Sequence, residues 1–312
     1  MLSNPTFSVV IPTYNRLDVL PEVLAALEAQ RDAPSFEIIV VDDGSTDGTS
    51  KALAQHTSKR PFRAVRQANQ GPAAARNRGV LEARAPWVAF LGDDTVPEPT
   101  WLAAHAAAHA RWGHDPYRAV IGYTAWHQRM RLTPFLHYIN EFGLQFGYAL
   151  IQDPSAVPFQ FLYTSNLSLA RERLLEEPFD LQFPYPAWED IEASYRLFRR
   201  GVKLAYEPAA VTRHDHPTDL ARFADRQEKA GYSAVVFFRL HPELGALLGL
   251  GSAGPPRLPM KARQRTLEWL VRTLQFLPLK LPRWWEEVLR YHYIRGLQRG
   301  WADGAGLANG SR

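Results

Sequence analysis

A mostly parallel α/β sheet flanked by helices, with a helical appendage at the carboxyl end, is the fold class this sequence predicts. Three observations predict it. Apolar runs of strand length alternate with amphipathic helices through residues 7–112, two of those runs stop abruptly in paired carboxylates, and the pattern turns to helices alone beyond Thr218. Strand–helix–strand order gives parallel neighbours with helices on both faces. The acidic pairs, Asp42–Asp43 after FEIIVV and Asp93–Asp94 after WVAFLG, fall at the carboxyl ends of strands, where open α/β sheets bind ligands.

FSVVI is the first strand, and LDVLPEVLAALEAQ follows with apolar residues at helical spacing. FEIIVV is the second strand, succeeded by a helix from near Thr46 and a short strand, FRAV. GPAAARNRGVLEARA is a helix with Pro72 in its first turn, where the missing N–H costs nothing. WVAFL is the fourth strand. An alanine-rich helix then runs from Thr100 to about Trp112 and a turn at Gly113, and AVIGYTAW is again a strand. Residues 131–161 are aromatic and proline-containing without a period, and read as loops and short helices covering the site. NLSLARERLLEE passes from strand to helix, WEDIEASYRLFRRG is a helix stopped by Gly201, and VKLAYEP and AAVTRHDH read as two closing strands. Beyond them come the helix LARFADRQEKAGYSAVVFFRL and, after the linker GLGSAGPPRLP, two more reaching about Gly300. The expected division is residues 1–218, in halves 1–100 and 101–218, and a helical region 219–312.

Composition excludes some chemistries outright. The 312-residue chain has no cysteine, so disulfides, thiolate catalysis and cysteine-held zinc are ruled out. A net charge of +4 suits an anionic substrate or membrane surface but is too weak to identify either. No nucleic-acid recognition motif is present, which argues against a nucleic-acid partner. The start, MLSNPTFSVVIPTYN, lacks the layout of a signal peptide. The best candidate span, AVVFFRLHPELGALLGL, is broken by Arg239, His241, Pro242 and Glu243. A cytoplasmic protein is expected.

Adjacent carboxylates repel, and two together at a strand end make most sense where a cation or ligand donors offset them. The plainer reading of each pair is a helix cap, a task DDGSTDGT is equipped for. Tyr14, in the loop after the first strand, could stack on a flat base, or be no more than an edge tyrosine. Glu189 and Asp190 open a helix, where negative charge is favourable in any case.

Six ordered motifs are SVVIPTYNR, VVDDGSTDGT, NQGPAAARNRG, FLGDDTVPEPTWL, WEDIEASYRLFRRG and PAAVTRHDH. Through them residues 7–216 resemble family 2 glycosyltransferases, whose fold is the Rossmann-like GT-A fold. The resemblance implies an inverting, non-processive, metal-dependent enzyme. Its donor would be a nucleoside-diphosphate sugar, most simply UDP-linked, and its acceptor the hydroxyl of a glycan, a lipid-linked or a small-molecule substrate, as in polysaccharide or glycolipid synthesis. Residues 1–100 would then be the nucleotide-binding half and 101–218 the acceptor-binding half.

It further implies that Pro12, Thr13, Tyr14 and Asn15 hold the nucleoside, that Asp43 accepts a hydrogen bond from the base, and that Arg76, with Asn77, closes over the nucleotide. Asp94 would ligate Mn²⁺ or Mg²⁺, with Asp93 on the ribose or a metal-bound water. Gly92 stands where the family's D-x-D form has its first aspartate. Asp190 would be the general base, with Glu189 orienting the acceptor or pairing with an arginine. His214 would be a further metal ligand, with His216 its alternative, while Thr164, Ser165 and Asn166 could hold acceptor or donor sugar.

A processive synthase is disfavoured, because RWW at Arg283 has Lys280 where that group's motif has glutamine. The rivals are a sugar nucleotidyltransferase, for which IPTYNR lacks the glycine-rich phosphate loop, and a catalytically silent sugar-nucleotide binding protein. The basic and aromatic C-terminal helices suit packing on the catalytic domain, a homo-oligomer contact or shallow peripheral attachment to an anionic membrane.

Overall fold

A computed structural model describes residues 4–258, 266–270, 273 and 281–306. Within them the chain divides into two compact units. One comprises Met1–Met130, Tyr148–Leu181 and Asp190–His216, the other Arg131–Gly147, Gln182–Glu189 and Pro217–Arg312.

The first unit is built on an eight-stranded sheet of order β3-β2-β1-β4-β7-β6-β8-β5. Its strands are β1 (Phe7–Thr13), β2 (Phe36–Asp42), β3 (Phe62–Arg66), β4 (Trp87–Leu91), β5 (Thr95–Pro97), β6 (Arg118–Trp126), β7 (Asn166–Ala170) and β8 (Lys203–His214). The pairings β1–β2, β1–β4, β2–β3 and β6–β8 are parallel, and β7 and β5 join antiparallel. The helices are α1 (Leu20–Glu28), α2 (Thr49–Gln55), α3 (Pro72–Glu82), α4 (Trp101–Arg111), α5 (Pro134–Glu141), α6 (Arg171–Glu176), α7 (Glu189–Arg199) and α8 (Leu220–Leu240), followed by a long last helix, Pro282–Ala302.

The central strands read as unbroken apolar runs because both their faces are buried. Phe7, Val9 and Ile11 of β1 face one core with Ile38, Val40, Leu24, Leu27 and Trp101, while Val10 faces the other with Ile39, Val41, Phe90, Val80 and Leu197.

Three expectations are corrected. VKLAYEP and AAVTRHDH form one strand, β8, because Pro208, which has no N–H for a ladder, sits in a bulge rather than a break. The helix expected near Thr46 begins at Thr49, since Asp47 and Gly48 are taken up in a turn, with Gly48 at φ +100°. Thr95–Pro97 adds a strand too short to show a period. Of the two helices expected after the linker, the second is the last helix. The first falls largely outside the described residues, of which 266–270 are helical.

In the second unit, Thr133 caps α5 by accepting from the Leu136 N–H at 3.2 Å, and Asp219 caps α8 by accepting from the Arg222 N–H at 2.9 Å. The last helix spends its apolar side inside this unit, with Trp285, Val288, Leu289 and Leu297 buried. Phe135 makes edge contacts to Phe223 and Trp285, at ring separations of 6.0 and 5.7 Å. Among the described residues no helix is long and apolar enough to cross a membrane.

The first unit also buries two histidines on α4. Burial holds His105 down to about 4 and, with the nearby His105 and His114, His109 to about 3. A histidine depressed in the folded state contributes stability that is complete above its ordinary 6.5 and is lost as pH falls toward the folded value. For His109 the loss between pH 7.5 and 5 is about 2 kcal/mol. His109→Gln is therefore expected to be nearer to wild type in stability at pH 5 than at pH 7.5 by that amount, other titrating groups being common to both chains. Urea melts at the two pH values check it; parallel pH profiles would mean that His109 takes up its proton in the folded protein.

Candidate active site

Two loops at the carboxyl ends of β1 and β2 are stapled together. The Asn15 N–H donates to Ser45 Oγ at 2.9 Å, the Thr46 N–H to Asn15 Oδ1 at 2.7 Å, and the Leu17 N–H to Asp47 Oδ2 at 3.1 Å. Asn15 takes a left-handed conformation, φ +53°, which asparagine tolerates better than most residues. Tyr14 is left 47% exposed at the tip of this staple, with its ring available for stacking.

The Asp42–Asp43 pair does serve structure. Asp42 accepts from the Ser45 N–H at 2.8 Å and from the Ser50 hydroxyl, which hold its carboxyl below the usual range against the opposing effect of burial. Asp43 accepts from Gln67 Nε2 at 2.8 Å and from the N–H groups of Gln70 and Gly71 at 2.9 and 2.8 Å. With about four lone-pair sites on a carboxylate, three donors leave roughly one for a further donor. Asn77 is similarly engaged, its amide bridging both backbone groups of Phe179 at 2.8 and 2.9 Å, and Arg76 lies over the Phe179 ring at 5.5 Å.

The Asp93–Asp94 pair occupies the turn between β4 and β5. β5 pairs with the end of β8, Thr95 opposite His214, and the Asp215 N–H donates to the Asp94 carbonyl at 2.8 Å. This register sets Asp94 among two imidazoles: Oδ1 is 3.4 Å from His214 Nε2, and Oδ2 is 3.2 Å from His216 Nδ1. One ligand atom from each of the three lies within 4.8 Å of the others. The rings stack in series, Trp126 on His214 at 5.5 Å and His214 on His216 at 5.4 Å. Residues two apart on a strand share a face, so the sequence could not choose between the histidines; both are at the cluster.

Gly92 has a steric reason to lack a side chain, because a Cβ there would stand 2.5 Å from Thr95 Oγ1. Arg16, which the sequence reading passed over, reaches both acids, with Nη2 3.2 Å from Asp94 Oδ2 and Nε 3.6 Å from Asp93 Oδ1. The two carboxyls are driven apart. Burial, then the charge of Asp94, raises Asp93 to about 7. Burial also opposes ionisation of Asp94, yet His214 first, with His216 and Arg16, holds it well below the usual range. A carboxylate with two imidazoles is a donor set for a first-row divalent cation.

Glu189 and Asp190 begin α7. Trp188, immediately before them, sits at φ +73°, a costly conformation for a bulky side chain, and its indole N–H donates to the Ala230 carbonyl at 3.0 Å. Glu189 is buried and Asp190 half-buried. Asp190 Oδ1 accepts from the Ile191 N–H at 2.9 Å, and its charge adds to burial in raising the Tyr163 phenol. Asn166, expected at a sugar, is instead 1% exposed with its amide spent inside the core, a correction its polar character concealed. Thr164 is buried, and the Ser165 carbonyl accepts from the Gly92 N–H at 3.2 Å.

The fold recurs in solved structures. A mannosyltransferase from Pyrobaculum calidifontis, in complex with GDP-Man and Mn²⁺, superposes with a TM-score of 0.61 at 20% identity over 97% of this chain and 88% of that one. S. aureus TarS 1–349 in complex with UDP gives a TM-score of 0.54 at 15% identity over 96% and 92%. By sequence, validoxylamine A glucosyltransferase from Streptomyces hygroscopicus subsp. limoneus is 32% identical over 77% of this chain, and hyaluronan synthase from Pasteurella multocida 26% identical over 70%. The matched region spans 58% of the first relative's length and 25% of the second's. The sequence profile described as Glycosyl transferase family 2 matches residues 8–168, from the first strand through the acidic turn to β7. With the sheet and the acidic strand ends as described, the chain belongs to glycosyl transferase family 2.

Proposed function

We propose that this chain is an inverting, cation-dependent glycosyltransferase that moves a sugar from a nucleoside-diphosphate donor, most simply a UDP-sugar, to a hydroxyl acceptor in glycan or glycolipid synthesis. The observation that carries the reading is the convergence of Asp94, His214 and His216 at the strand ends beside an exposed Tyr14. Complexes of structural neighbours with UDP, and with GDP-Man and Mn²⁺, support the donor class. The two nitrogen ligands favour Mn²⁺ over Mg²⁺, which keeps to oxygen. Bound there, the cation would offset the charge that grows on the departing diphosphate.

The chain's own residues supply the rest. Pro12, Thr13, Tyr14 and Asn15 cradle the nucleoside, Asp43 offers its remaining lone pair to the base, and Arg76 closes that side. Arg16 balances the acidic pair, and Asp93 faces the ribose. Asp190 accepts the proton of the attacking hydroxyl, while Glu189 orients the acceptor. One base on the acceptor side is enough for direct displacement, which inverts the anomeric carbon.

The test is a panel of nucleotide sugars with Mn²⁺, read first by thermal shift and then by NMR of the product's anomeric proton. The expected result is one stabilising donor and a β-linked product from an α-linked donor. A retained configuration overturns the role of Asp190. Stabilisation with no transfer to any hydroxyl acceptor would favour a silent binding protein, and synthesis of the sugar nucleotide itself a nucleotidyltransferase.

A further inference from the structure

The histidines reach Asp94 only because β8 carries a bulge. Along β6, Gly122 pairs with Glu207 but Tyr123 pairs with Val211, so Pro208, Ala209 and Ala210 are extra. Were these three paired in the ladder rather than bulged out of it, Trp126 would face Val211, and His214 would lie about 10 Å further along, at the strand rise of about 3.3 Å per residue. Because three is odd, the residue would also turn to the other face of the sheet.

The bulge is held by side chains. The Ala209 N–H donates to Glu207 Oε1 at 3.0 Å, and Asn166 Nδ2 donates to the Ala210 carbonyl at 2.8 Å. The same Nδ2 lies 3.3 Å from both the Tyr123 carbonyl and Thr212 Oγ1, so one amide spans the bulge from β6 to β8. Gly122 makes room for it, since a Cβ there would stand 2.2 Å from the Ala210 carbonyl and 2.4 Å from Asn166 Nδ2.

The direction of that amide is fixed from behind. Trp101 Nε1, which can only donate, reaches Asn166 Oδ1 at 2.7 Å, so the amide nitrogen must face the bulge. His105 Nε2 meets the same oxygen at 2.9 Å and must also donate. Its Nδ1 is then the acceptor for the Ser168 hydroxyl at 2.8 Å, and the Ser168 oxygen accepts from His109 Nε2 at 2.8 Å. The result is a buried, one-way chain of hydrogen bonds from α4 to the Ala210 carbonyl.

We propose that Asn166 is a positioning residue for His214: its amide, aimed by Trp101 and His105, locks the three-residue bulge whose register carries His214 to Asp94. The inference rests on the reading of Asp94, His214 and His216 as the cation's holders. Asn166→Asp tests it, because the variant keeps an oxygen for Trp101 and His105 but turns a second oxygen, in place of the NH₂ donor, toward the Ala210 carbonyl. Thr212→Val removes the hydroxyl beside the amide and serves if the first variant does not fold. Val88→Ala, on β4 and away from the bulge, is the control for lost stability alone.

Mn²⁺ affinity by calorimetry is expected to fall about 10–100-fold in Asn166→Asp, the range for partners that orient a ligand, to fall less in Thr212→Val, and to stay at the wild-type value in Val88→Ala. Backbone hydrogen exchange at Asp215 and His127, whose N–H groups donate to the Asp94 and His214 carbonyls, is expected to quicken in Asn166→Asp beyond its change in Val88→Ala. Unchanged Mn²⁺ affinity in both bulge variants, or an equal fall in Val88→Ala, overturns the proposal. Should wild type bind no Mn²⁺, the cation reading fails by itself, and the exchange rates still decide whether Asn166 sets the register.

Discussion

Asp94→Ala is expected to abolish the Mn²⁺-dependent part of UDP binding while the sheet stays folded. Asp94 is the only oxygen donor of the three-residue cluster among the described residues, and each of its oxygens faces one imidazole. Losing a group that merely orients a ligand costs about 10–100-fold in affinity, so losing the ligand is expected to exceed 100-fold. The fold is expected to tolerate the change because Asp93 is relieved of a like charge and keeps Arg16 3.6 Å away. His214→Ala is expected to cost more than His216→Ala, since His214 is buried on Trp126 while His216 has a 40% exposed side chain and more freedom to move. Calorimetry with UDP, with and without Mn²⁺, measures all three. Unchanged affinity in Asp94→Ala would remove that residue from the site.

The sheet and the acidic strand ends were legible in the sequence because burial on both faces writes itself as continuous apolar runs, and their abrupt stops mark where ligands meet an open sheet. Partners distant in the chain were not legible. Arg16 meets Asp94 across 78 positions, and nothing local distinguishes it from a solvated arginine. Asn166 looked like a site residue because it is polar and precedes a strand, whereas its surroundings depend on α4 and on the register of β8. That register, with Pro208 inside the strand and Thr95 opposite His214, is a property of pairing between segments and leaves no period to read. Periodicity gives each strand its faces; only the ladder says how far along its neighbour a residue sits.

The proposed mechanism rests its acceptor side on Asp190, and Asp190→Asn is expected to separate binding from chemistry. The substitution keeps the size of the side chain and leaves an oxygen for the Ile191 N–H, so the start of α7 is expected to persist. In the proposed reading the donor is held by other elements, the β1 and β2 loops and the Asp94 cluster, and donor affinity should therefore be unchanged. What would be lost is the proposed acceptor of the hydroxyl proton, worth about 10²–10⁴-fold in turnover, or roughly 3–5 kcal/mol in the barrier. Glu189→Gln is expected to lower turnover less, since that carboxylate is given the task of orienting the acceptor rather than accepting its proton. Steady-state kinetics with calorimetric donor affinities give the split directly. If Asp190→Asn weakens donor binding instead, Asp190 belongs to the nucleotide pocket and another base must be sought. If turnover is unchanged with both variants folded, the acceptor is activated without either carboxylate.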